Sequence, residues 1–100
     1  MNVISKRGLM AIAEAKRIDS DTLDELIAWY RVAHAAAWKS IADVRADFPA
    51  ADQVGAVLIF NIRHNRYRLI AFVVYGKQKL YVKALLTHKE YDRKEWMKWA

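Results

Sequence analysis

Apolar residues along this chain fall into two regimes, spaced by threes and fours through the first half and by twos after it. Leu9, Ile12 and Ala13 predict a first helix ending near Arg17. Asp19-Ser20-Asp21-Thr22 then offers several N-caps, and Thr22 stands at capping-box distance from Glu25. Leu23, Leu26, Ile27, Tyr30, Ala33 and Ala37 recur at helical intervals behind that cluster, which predicts an amphipathic helix. Ser40 with Asp43 resembles a further helix start. Ile41, Val44 and Phe48 supply its short apolar stripe, and Pro49 marks its end.

Beyond the turn-like stretch 50–55 the period becomes two, predicting strands at Val57–Ile62, Tyr67–Tyr75 and Lys79–Thr87. Arg63-His64-Asn65-Arg66 and Gly76-Lys77-Gln78 read as the connecting turns. The expected class is α+β: N-terminal helices packed on one face of an antiparallel sheet, here a three-stranded meander. Asn2–Ile4 is a candidate extra strand, too short to decide by pattern. The tail from Glu90 to Trp99 returns to helical spacing and predicts a short C-terminal helix. Its Trp96 and Trp99 are too apolar to lie in water together, so they are expected to pack on the sheet or the helix layer, the first reading, or else to dock a partner.

Composition narrows the class further. One hundred residues, 55% of them hydrophobic, suffice for one core, so residues 1–100 are read as a single domain. Cysteine is absent, which removes disulfides, thiolate nucleophiles and cysteine metal sites together. The apolar runs Val57–Ile62 and Leu69–Tyr75 are far too short to span a membrane. Lys6 and Arg7 are followed by further charges and not by an apolar segment, which argues against a secretory leader. A cytoplasmic protein with no membrane partner is expected. The formal charge of +6 and a pI near 9.7 favour a polyanionic partner. The basic excess gathers in residues 63–98, whereas residues 19–52 are net acidic.

Candidate chemistry therefore belongs to the second half. Strand Lys79–Thr87 divides by alternation into Leu80, Val82, Ala84 and Leu86 on one face and Lys79, Tyr81, Lys83 and Leu85 on the other. Lysines flanking an aromatic ring suit a nucleic-acid strand, the charges meeting phosphates and the ring stacking on a base; a merely solvated sheet face fits the same pattern. Arg68 stands in an otherwise apolar strand, and a guanidinium binds phosphate in two places. It shares a face with Lys83 if the turn between the two strands holds two residues, and not if it holds three. His88, Lys89, Tyr91 and Asp92 close the last strand, and an imidazole beside a phenol is equipped to move protons. The three histidines are scattered, and no carboxylates stand near them at ligand spacing. Phosphate-binding glycine loops and a nucleophile elbow are absent. No metal ligands and no cofactor are expected.

Four segments in order, Met1-Asn2-Val3-Ile4-Ser5, Phe48-Pro49-Ala50-Ala51-Asp52, Phe60-Asn61-Ile62 with Asn65-Arg66-Tyr67-Arg68-Leu69-Ile70, and Thr87-His88-Lys89-Glu90-Tyr91-Asp92, resemble the HigB-like branch of the RelE toxin superfamily. The resemblance implies a RelE-like fold and a toxin of a toxin-antitoxin system that cleaves messenger RNA, often on the ribosome. It implies an antitoxin partner, commonly a helix-turn-helix protein. In such ribonucleases the ribose 2′-hydroxyl attacks its own phosphate. Arg68 matches the arginine of the family's strand, Tyr91 its terminal tyrosine and His88 the Thr-His of this branch, making these the candidate catalytic residues. Arg66, Lys79, Tyr81, Lys83 and Lys89 form the expected RNA-binding set. Which group is base and which is acid stays open. The turn departs from the family in carrying Arg63-His64 where relatives often have glycines. A non-catalytic basic RNA- or DNA-binding module explains the charge equally well but gives no reason for His88 and Tyr91.

Overall fold

A computed structural model describes residues 1–5 and 8–100. Lys6 and Arg7, cited above against a leader, lie outside the described residues. The elements run β1 (Asn2–Ser5), α1 (Leu9–Lys16), α2 (Ser20–Ala35), α3 (Ile41–Asp47), β2 (Asp52–Val54), β3 (Val57–Ile62), β4 (Tyr67–Val74), β5 (Lys79–Thr87) and α4 (His88–Asp92), with 3-10 turns at Tyr75–Lys77 and Glu95–Trp99. No helix among the described residues is long and apolar enough to cross a membrane.

The three expected strands form the centre of a five-stranded sheet in the order β1-β5-β4-β3-β2. Two edges are additions. β2 arises inside the stretch read as a turn and pairs with β3 across Gly55, whose positive φ of 57° closes the hairpin. β1 runs parallel to β5, so the sheet is mixed and not purely antiparallel as expected. Strands this short leave no legible period, and only pairing with a longer neighbour defines them.

Helices α1, α2 and α3 cover one face. Ile12, Leu26, Trp29, Ala33 and Val44 meet Leu58, Phe60 and Ile62 of β3, Leu69, Ala71 and Val73 of β4, and Leu80, Val82 and Leu85 of β5. Phe60 anchors an aromatic cluster, with ring centroids 5.3 Å from Trp29, 5.3 Å from Phe48 and 6.1 Å from Trp38. Full burial of side chains such as Leu26 and Leu69 contributes about 1.5–3 kcal/mol apiece.

The expected capping box at Thr22 and Glu25 does not form. Asp19 caps α2 instead, its Oδ1 accepting from the Thr22 amide at 2.8 Å. Glu25 is thereby released to accept from the Arg63 amide at 2.6 Å, which ties α2 to the β3–β4 turn. That turn holds Arg63 and His64 at φ 53° and 58°, the left-handed region glycine fills without strain.

Alternation along β5 breaks at a bulge. Ala71 pairs with Val82 and Ile70 with Ala84, leaving Lys83 as an extra residue. Leu80, Val82 and Leu85 therefore point to the helices, and Ala84 and Leu86 to the opposite face. This corrects the division read from strict alternation, which had placed Ala84 and Leu86 with Leu80 and Leu85 opposite them.

Candidate active site

The sheet face away from the helices carries the basic residues, but it is not simply open. The chain after α4 folds back over it, and Trp96 is 5% exposed among Val57, Ile59 and Ile70. Val54, Ala84, Leu86, Tyr91 and Trp99 pack around this second, smaller core. The return crosses to the far hairpin, where the Ala100 backbone lies within 2.8 Å of where a Cβ on Gly55 would stand. The expected packing of Trp96 and Trp99 against the protein is observed. The tail is a five-residue helix followed by a 3-10 turn, however, and not one continuous helix. Lys94, at φ 60°, makes the break.

Beside this core stand Arg68 and Tyr91. Arg68 leaves β4 on the face it shares with Ile70 and Phe72, paired across the strands with Asn61 on β3 and Leu86 on β5. Its Cζ lies 5.4 Å from the Tyr91 ring centroid. Its hydrogen bonds are long, Nη1 to the Tyr67 carbonyl at 3.4 Å and Nη2 to Asn65 Oδ1 at 3.5 Å, so the fork is only lightly committed.

Tyr91 is placed by α4, and α4 by a complete capping box. Thr87 Oγ1 accepts from the Glu90 amide at 3.2 Å, and Glu90 Oε1 accepts from the Thr87 amide at 2.9 Å. Glu90 also pairs with Lys16, pinning α4 to α1. The hydrogen bonds from Lys16 and from the Thr87 amide hold the Glu90 carboxyl below its ordinary value. Thr87-x-x-Glu90 has the spacing of Thr22-x-x-Glu25, so this box was available to sequence reasoning and was missed.

Burial pushes the Tyr91 phenol above its ordinary pKa. The Asp52 and Asp92 carboxylates push the same way, and the opposing pull of Arg68 does not overcome them. A neutral phenol donates a proton and does not take one up. His88, three residues earlier on α4, places its Nε2 3.3 Å from Asp92 Oδ2, one turn on, with both side chains exposed. The site thus presents a guanidinium, a protonated phenol and a carboxylate-paired imidazole around one helix and the strand it caps.

The remaining expected residues spread outward from this point. The β4–β5 connection holds four residues, Tyr75–Gln78, an even number that keeps Lys79 and Tyr81 on Arg68's face. Lys83 Nζ hangs 5.8 Å from the Tyr81 ring centroid, so Lys83 reaches that face as well. By register Lys83 stands about 7 Å along the strands from Arg68, Tyr81 about 13 Å and Lys79 about 20 Å. Lys89 is exposed on α4. Arg66 turns toward the helix layer, its Nη1 3.6 Å from Asp19 Oδ2 at the α2 N-cap. Asp52, Asp92, Asn61 and Trp96 are the neighbours that sequence reasoning did not name as site residues, because three of them come from elements whose approach to Arg68 and Tyr91 no local pattern reveals. Asp92 alone was legible, at i,i+4 from His88. Among the described residues no cluster of three or more His, Asp or Glu side chains forms a metal-binding group.

Comparison with known proteins meets this geometry directly. Residues 22–94 match the sequence model of the HigB_toxin family, described as the RelE-like toxic component of a toxin-antitoxin system. The chain is 32% identical over 95 residues to the mRNA interferase toxin HigB of Escherichia coli strain K12, covering 92% of this chain and 88% of the relative. The mRNA interferase HigB of Escherichia coli O157:H7 and that of Shigella flexneri match over the same lengths at the same identity. The matched span contains α2 from Thr22 onward, α3, strands β2 to β5 and the whole of α4 with Arg68, His88 and Tyr91. This chain belongs to the HigB family of RelE-like toxins.

Proposed function

We propose that the protein is the toxin of a toxin-antitoxin system and acts as an endoribonuclease on messenger RNA, with residues 1–100 as one functional domain. The observation that carries this reading is the Arg68 guanidinium over the Tyr91 ring, at the end of a cationic sheet face, in a chain whose relatives are named mRNA interferases.

The ribose 2′-hydroxyl attacks the adjacent phosphorus, forming a 2′-O–P bond and breaking the bond to the 5′-oxygen. Arg68, whose fork is lightly committed, takes the charge that builds on the non-bridging oxygens. Tyr91, held protonated by burial and the two carboxylates, gives its proton to the departing 5′-oxygen. His88, oriented by Asp92, accepts the proton of the 2′-hydroxyl. Lys79, Tyr81 and Lys83 track the strand away from the cut, and Lys89 flanks it, whereas Arg66, turned to Asp19 on the helix side, is left out of the RNA path. The mechanism is read as metal-independent because these side chains supply every charge and proton it requires.

The resemblance supports two finer points: that the message is cut on the ribosome in the cytoplasm, and that the restraining antitoxin is a helix-turn-helix protein covering the basic face. Purified protein is expected to cleave ribosome-bound message at a rate that does not depend on the kind or excess of divalent ion once the ribosome is assembled. It should leave uncut a message carrying 2′-deoxyribose at the cut position. Cleavage of that deoxy substrate, or a rate on intact message that tracks the divalent ion while the ribosome stays assembled, rejects the chemistry.

A further inference from the structure

A phenol that must deliver a proton to one oxygen has to be held in place, and α4 by itself is poorly suited to hold it. The helix is five residues long, below the length at which a helix is stable alone in water. Its capping box and the Lys16–Glu90 pair fix the first turn, and their bonds run through Thr87, Glu90 and Lys16, not through the Tyr91 phenol. The ring is met instead by Trp96. The two lie 5.1 Å apart between centroids and only 4° from parallel. The indole Nε1–H also donates to the Tyr91 carbonyl at 3.0 Å, a carbonyl that accepts the Lys94 amide at 3.0 Å as well. Trp96 is in turn immobilised in the small core with Val57, Ile59 and Ile70. Left-handed Lys94 is the turn that brings the indole back to the residue five positions before it.

We infer that Trp96 is a positioning residue of the cleavage site: its buried indole sets the plane of the Tyr91 ring and ties the end of α4 to the sheet face that carries Arg68. The inference rests on Tyr91 being the proton donor proposed above. Misplacing a reacting group by about 1 Å costs on the order of a hundredfold in rate, so loss of this support reads out in turnover and not in RNA binding.

The test is cleavage of message on purified ribosomes, with kcat and KM measured below each variant's melting temperature. Trp96→Leu keeps an apolar side chain but no ring plane, and its kcat is expected to fall tenfold or more, with a KM within a few-fold of the parent. Trp96→Phe keeps a plane without the N–H, and most of kcat should return. Val44→Ala thins the helix-side core, on the other face of the sheet from Trp96, and should lower the melting temperature while sparing kcat. Equal loss of kcat in Trp96→Leu and Trp96→Phe, or no loss in Trp96→Leu, overturns the positioning role. Should Trp96→Leu fail to fold, the Tyr91 ring protons in the parent's NMR spectrum decide. The stack places them upfield of an unstacked tyrosine and Trp96→Phe moves them, whereas unshifted resonances in the parent overturn the inference. Tyr91→Phe separates the two layers of argument. A parental rate in that variant removes the proton-donor reading and this inference with it, while an inactive Tyr91→Phe beside a fully active Trp96→Leu removes the positioning role alone.

Discussion

The two faces of the sheet are packed to different depths. Under α1, α2 and α3 the rows of β3, β4 and β5 are continuous, and Leu58, Phe60, Leu69 and Leu80 are essentially sealed from water. On the other face, among the described residues, only Val57, Ile59, Ile70 and Trp96 reach comparable burial, and the sheet there carries Arg68, Tyr81 and Lys83 at or near the surface. The contrast teaches where stability and chemistry are kept. A domain of this size has about 5–15 kcal/mol of net stability, and the helix-side core supplies enough burial for the opposite face to hold desolvated and charged groups side by side. Charged residues on the deep face would have no water and few partners.

The largest expected effect breaks the deep face. Phe60→Ala removes the ring at the centre of the aromatic cluster and should cost about 3–5 kcal/mol, read as a lower denaturation midpoint in urea and loss of activity through unfolding. Arg68→Ala sharpens the contrast from the other side. Cleavage should fall on the order of a hundredfold, equivalent to about 2.7 kcal/mol in the barrier, while the midpoint hardly moves. A matching loss of stability in Arg68→Ala would show that the two faces are not separable. Trp99→Ala belongs between them, since Trp99 packs half-buried on the small core. It should lower stability by about 1–2 kcal/mol in a thermal melt, with the antitoxin-free protein affected as strongly as the complex.

Smaller effects lie at the junctions. His64→Gly relieves a left-handed backbone and should raise stability by about 0.5–1 kcal/mol, against the usual direction for glycine. Glu90 makes the α4 attachment pH-dependent. Its carboxyl is held below an ordinary value near 4.5, so its contribution is complete above pH 4.5 and drains away as pH falls through the depressed folded value. Glu90→Gln should flatten the acid limb of a melting-temperature profile and fray α4 at neutral pH, visible in amide exchange of residues 88–92.

Much of this contrast was legible in the chain itself. Helical spacing in Leu23–Ala37 and alternation in Val57–Ile62 and Tyr67–Tyr75 located α2, β3 and β4, and Arg68 stood out as the one cation in an apolar strand. The Thr-His-x-x-Tyr ending pointed to His88 and Tyr91. What misled was strict alternation in β5, because one inserted residue at a bulge reverses every side chain beyond it without altering composition or propensity. The Thr22 and Glu25 pair misled for a related reason: two motifs of identical spacing meet different surroundings, and Asp19 and the β3–β4 turn claimed the partners of the first, while Glu90 holds the Thr87 amide alongside its Lys16 partner.

The sequence alone determined the α+β class, the long elements and the basic second half, since each of these follows from spacing and charge within a short window, and its resemblance to the HigB-like toxins singled out Arg68, His88 and Tyr91. Only the tertiary structure decided that β1 and β2 join the sheet, that Lys83 sits at a bulge, and that Trp96 reaches back to the Tyr91 ring. Those are contacts between segments distant in the chain or turned by a single left-handed residue. Their free energy comes from burial that no local stretch can display.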